Sequence, residues 1–81
     1  MNSDLKGFYK HYKGNMYRVL DIIHHSETLE ELVLYEALYE NPIGKLWVRP
    51  KEMFFGKIIH EGIVKDRFEF ISNGDPNEYS K

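Results

Sequence analysis

Four histidines, His11, His24, His25 and His60, are the residues whose chemistry first needs testing. A metal centre needs several ligands converging on one ion. The neighbours His24 and His25 would point to opposite faces of a strand, His-x-His is absent, and there is no cysteine, so no metal site is assigned. His25-Ser26-Glu27 contains the residue types of a nucleophilic triad. A triad, however, requires a base hydrogen-bonded to both nucleophile and orienting acid, which three consecutive residues rarely achieve. The chain also lacks a Gly-flanked Ser elbow, a phosphate-cradling glycine loop and a His-Glu-x-x-His helix. His25 to Thr28 therefore reads as a self-bonded turn, in which the Ser26 or Thr28 hydroxyl and the Glu27 carboxylate accept backbone N–H groups. No catalytic residue and no cofactor are assigned. Were the chain an enzyme, His25 and Glu27 would be the first suspects.

The aromatic side chains offer a different chemistry. Tyr9, Tyr12, Tyr35, Tyr39, Trp47 and Phe54 are spread over different segments of the chain, and rings near strand ends can line a shallow groove. Arg49 follows Trp47 by two residues, the same side of a regular strand, where it can stack on a ring or fork to a carboxylate or phosphate. The competing structural reading is that Trp47 and several tyrosines fill the core, and Trp47 is expected to be at least half buried. The expected ligand-binding set is Tyr12, His25, Glu27, Tyr35, Trp47 and Arg49, with a peptide or protein surface as partner. A second reading is RNA or single-stranded DNA held by Lys6, Lys10, Lys13 and Arg18, which interleave with Phe8, Tyr9, Tyr12 and Tyr17. A pI near 6.1 weighs against it, since phosphate affinity grows with positive charge.

The elements that must position these residues are mostly extended. Gly and Asn in Lys13-Gly14-Asn15 suit a tight turn between a strand through Phe8 to Tyr12 and one from Met16 to His25, with a bend or bulge at Asp21. Leu32 to Tyr39 alternates Val33, Tyr35, Ala37 and Tyr39 against Leu32, Leu34, Glu36 and Leu38, both sides largely apolar, as in a central strand. A helix over Leu29 to Leu38 competes, because Thr28-Leu29-Glu30-Glu31 resembles a capping box. Asn41-Pro42-Ile43-Gly44 breaks the chain, Leu46 to Arg49 is a short strand ended by Pro50, and Lys51 to Phe54 predicts one turn of 3₁₀ helix. Lys57 to Ile59 pairs with Ile63 to Lys65 across His60-Glu61-Gly62, and Arg67 to Ile71 forms the last strand. Five to six short strands with one 3₁₀ turn predict an all-β, small SH3-like barrel, closed or nearly so.

The chain has 81 residues, enough for one domain, placed at residues 7–71 with mobile termini at 1–6 and 72–81. A chain of this size buries about 60 to 65% of its unfolded surface, leaving little room for a deep pocket. Residues 1–20 carry a charge of +3, 21–44 −6, 45–67 +3 and 68–81 −2. Adjacent strands can match these signs across the ladder, or the two-sided field can orient a partner. The absence of cysteine and of any apolar run of spanning length or signal-peptide character predicts a cytoplasmic chain with no membrane partner.

Several motifs stand at recognisable separations: Tyr12-Lys13-Gly14-Asn15-Met16-Tyr17-Arg18-Val19-Leu20, His25-Ser26-Glu27-Thr28 with Glu30-Glu31-Leu32-Val33, and Tyr35-Glu36-Ala37-Leu38-Tyr39. Trp47-Val48-Arg49-Pro50 with Glu52-Met53-Phe54, and then Arg67-Phe68-Glu69, complete the set. Together they resemble a family of short bacterial proteins catalogued as a domain of unknown function, over roughly Gly7 to Ile71. The resemblance implies no activity. The chain departs from many members at Lys10 and His24, where Arg is common, and at Asp21, where Gly is.

Overall fold

The computed structural model describes residues 5–72; of the termini expected to be mobile, 1–6 and 72–81, all but Leu5, Lys6 and Ser72 lie outside the described residues. Seven strands form, β1 (Gly7–His11), β2 (Met16–His24), β3 (Glu31–Ala37), β4 (Leu46–Pro50), β5 (Lys57–His60), β6 (Ile63–Asp66) and β7 (Phe68–Ser72), with α1 (Lys51–Phe54) between β4 and β5. All ladders are antiparallel. One sheet has the order β4-β3-β2-β1-β7, and β5 and β6 form a separate hairpin. The fold is a small all-β domain whose seven strands fall on the seven extended segments read from the sequence, so the expected count of five to six is too low.

Residues 31–37 are strand, not helix. Pairing settles the competition: β3 has ladder partners on both sides, Tyr35 lying opposite Val19 of β2 and Trp47 of β4. Its period-two set Val33, Tyr35 and Ala37 is buried. The capping-box segment instead forms a turn in which Leu29 takes a φ of 65°, a left-handed conformation that cannot start a right-handed helix. Leu38 and Tyr39 lie beyond the strand.

The expected irregularity near Asp21 is a bulge. Val19 pairs with Tyr35 and Asp21 with Leu34, so Leu20 is the extra residue. Its effect is on parity. Before the bulge Tyr17 and Val19 face the core, and after it Ile22 does, a switch from odd to even positions that a regular strand could not make.

The core gathers where the sheet curls. Tyr9, Val19, Val33, Tyr35 and Phe68 surround Phe54, which α1 delivers fully buried onto the concave face. Phe54 stacks on Phe68 at 3.9 Å and lies within 5.4 Å of the Tyr9 and Tyr35 rings. The turn expected to be 3₁₀ is α-helical: Phe55 N–H donates to the Lys51 carbonyl at 3.1 Å, four residues back, and only the closing Gly56 N–H to Met53 bond spans three.

No ladder joins β4 to β7, so the barrel expected to be closed or nearly so is open along that seam. Pro50, last residue of β4, has no N–H to give, and the chain turns directly into α1 there. The edges nonetheless approach: the Arg49 guanidinium of β4 lies over the Phe68 ring of β7, 5.7 Å from its centroid. Ser72, assigned to the tail from sequence, is the nearly buried last residue of β7, opposite Phe8.

Candidate functional site

Beside the open seam a depression of about 180 Å³ is lined by Tyr17, Tyr35, Tyr39, Asn41, Trp47 and Arg49. Register builds it. Trp47 faces Tyr35 across the β3–β4 ladder and Arg49 faces Val33, so both point inward while the alternating Leu46 and Val48 are exposed. Trp47 is half-buried, packs on the core and donates its indole N–H to the Gly44 carbonyl at 3.1 Å. Arg49 Nε donates to the Tyr35 hydroxyl at 3.4 Å. Tyr17 and Tyr39 share a hydroxyl–hydroxyl bond of 2.7 Å. Burial, with this bond next, pushes the Tyr17 phenol well above its ordinary value, so it stays neutral.

Of the expected groove residues, Tyr35, Tyr39, Trp47 and Arg49 come together. Tyr9 and Phe54 do not line the depression; both are core, because their backbone positions face the inside of the sheet. Tyr12 lies apart, beyond His11, its ring 4.5 Å from His11 and 5.3 Å from His60. His25 and Glu27 sit past the far end of β2, about 20 Å of strand from Val19. There His25 Nδ1 accepts the Glu27 and Thr28 N–H groups at 3.1 and 3.3 Å, and Thr28 Oγ1 accepts the Glu30 N–H at 3.2 Å. The self-bonded turn therefore forms with the imidazole as its main acceptor, and no hydrogen bond joins Ser26 to His25.

Lys6, Lys10, Lys13 and Arg18 are all exposed. On the outer face Arg18 is opposite Glu36 and its guanidinium is 5.8 Å from the Phe8 ring centroid, while Lys10 is opposite Glu69. Lys13 lies in the turn, 5.8 Å from the centre of the Tyr12 ring. A second, larger depression of about 410 Å³ between β1 and β5–β7 has mixed charge, including Lys57 and Asp66, which pair at 2.6 Å. Among the described residues no three His, Cys, Asp or Glu side chains gather to hold a metal, and no helix is long and apolar enough to cross a membrane.

Three residues near the groove escaped sequence reasoning. Tyr17 was legible, since it alternates with Val19 on one face of β2. His11 and Arg67 were not. The His11 ring is 4.9 Å from Phe68 and 6.3 Å from Tyr17, and its Nδ1 accepts the Lys13 N–H at 3.1 Å. Burial first, then the fields of Arg49, Lys13 and Arg67, hold its pKa below 6.5. Arg67 Nε is sealed from solvent and has no acceptor among the described residues.

These features define a small antiparallel β domain with a tyrosine–tryptophan groove and an arginine at its margin. Comparison with known proteins gives it a family: residues 7–70 match the model described as "Protein of unknown function (DUF1653)", and the chain belongs to that family. The crystal structure of a DUF1653 protein from Bordetella bronchiseptica is similar, with a TM-score of 0.78 and 27% identity over 82% of this chain and 85% of that one. No curated protein matches the chain.

Proposed function

We propose that the chain is a non-catalytic, cytoplasmic binding module of SH3-like arrangement that receives a peptide or protein surface in the groove of Tyr17, Tyr35, Tyr39, Trp47 and Arg49. Trp47-Val48-Arg49-Pro50 is then its recognition strand. The observation that carries this reading is the convergence of four aromatic side chains and one arginine on a single depression. Its volume, about 180 Å³, is below the ~300–1,000 Å³ of small-molecule sites, and so suits one or two side chains of a larger partner. Tyr and Trp supply contact area at little entropic cost.

The test is a screen of random peptides by Trp47 fluorescence, followed by amide-shift mapping of the hits. Shifts centred on Tyr17, Tyr35, Trp47 and Arg49 are expected. Shifts centred instead on Lys10, Lys13 and Arg18, with oligonucleotides binding at about 50 mM salt, below the ~150 mM of physiological ionic strength, would replace this reading by the nucleic-acid one. That alternative is less supported because Lys10 and Arg18 each face a glutamate across the ladder.

A further inference from the structure

The groove holds a cation that the fold leaves without an anion. Among the described residues the carboxylate ion pairs serve Lys51, Lys57 and His60. Arg49 has none. Its partners are neutral: the Tyr35 hydroxyl at 3.4 Å and the Phe68 ring, whose other face is taken by Phe54. Two further cations act on the same histidine as Arg49. Arg67, with its unanswered Nε–H, and Lys13 both act on His11 in the same sense as Arg49. Acids on the neighbouring strands are engaged elsewhere: Glu31 pairs with Lys51, Asp66 pairs with Lys57, and Glu69 lies opposite Lys10.

This arrangement selects the sign of the ligand. Aromatic walls of this kind suit an ammonium or guanidinium when they are empty of charge. Here the protein's own guanidinium lies at the wall, so a ligand cation meets repulsion and a ligand anion meets attraction. A carboxylate matches the planar fork of Arg49 in two parallel hydrogen bonds.

We propose that the occupant of the groove is an acidic peptide, one carboxylate of which docks on Arg49 while a neighbouring side chain lies against Tyr17, Tyr35 and Trp47. The inference rests on the peptide-binding reading above and adds the chemistry of the ligand to it.

The experiment uses three probes on the isotope-labelled full chain: N-acetyl-tyrosine, its neutral amide, and acetyl-Tyr-Glu-amide. Both carboxylate probes are expected to shift the Trp47 indole N–H and Arg49 Nε–H resonances and to bind about tenfold more tightly than the amide, as a charge-assisted fork requires. The stronger of the two tells a terminal carboxylate from a side-chain one. Arg49→Gln should erase the tenfold preference and Arg49→Lys should keep part of it. If Arg49→Gln does not fold, salt raised from about 0.01 to 1 M on the unaltered chain should shrink the preference. Equal binding of the amide and the acids at the same resonances overturns the acidic ligand but leaves the peptide groove standing. No shift at the groove with any probe overturns both.

Discussion

The charge of Arg49 and the neutrality of His11 belong to one small neighbourhood, and the histidine can be read out by titration. Because the folded-state pKa of His11 is below 6.5, the unfolded chain binds a proton that the folded chain refuses between the two values. The His11 contribution to stability is therefore complete above about pH 6.5 and is lost as pH falls through that value toward the lowered one. His11→Asn keeps an acceptor for the Lys13 N–H and cannot titrate, so urea midpoints measured from pH 7 to pH 5 should be flatter in the variant. Phe54 is the residue on which most of the packing converges. Phe54→Ala should cost about 3–5 kcal/mol by urea denaturation, through the cavity it leaves among Tyr9, Tyr35 and Phe68. A loss under about 1 kcal/mol would mean that the core is not built around that ring.

Among the elements, the β5–β6 hairpin shows how turn chemistry sets local stability. His60 pairs with Ile63, so the loop is the two residues Glu61 and Gly62, with φ values of 55° and 78°. Positive φ at both places is the type I′ turn, which prefers Asn-Gly. Glutamate pays a steric penalty at the first position that asparagine largely avoids. Glu61→Asn should stabilise the chain by up to about 1 kcal/mol, raising the thermal midpoint. A lower midpoint would show that the Glu61 side chain has another role, such as its 3.6 Å approach to His60. The β2 bulge illustrates the reverse dependence, because its position follows from keeping Val19 and Ile22 both on the core side.

At the scale of the whole molecule, stability is concentrated in the five-stranded sheet. Val19 and Val33 are shielded in its centre, whereas every residue of β6 is exposed and Ile59, Ile63 and Val64 carry their apolar surface in water. Hydrogen exchange should accordingly release the β5–β6 amides before those shared by β1, β2 and β3, since local opening follows buried contact. Simultaneous exchange of both sets would mean that the hairpin is part of the cooperative unit. The amino-acid sequence by itself determined most of the strands: the Gly14 turn and the Pro50 break are local patterns whose meaning survives without knowledge of neighbours, whereas the alternation in Val33, Tyr35 and Ala37 left strand and helix in competition until pairing on both sides decided it. It also placed Trp47 and Arg49 on one side of a strand, from the two-residue period. Tertiary structure alone decided which rings are sealed and which are shared with solvent. Tyr9 and Phe54 went inside, Tyr12 went to the His60 side, and His25 and Glu27 went to the far end of β2. Only the curl of the sheet brought His11 and Arg67 toward Arg49. The reason is physical: a strand's alternation fixes the face a side chain points to, but the curvature and the open seam between β4 and β7 depend on contacts between residues far apart in the chain.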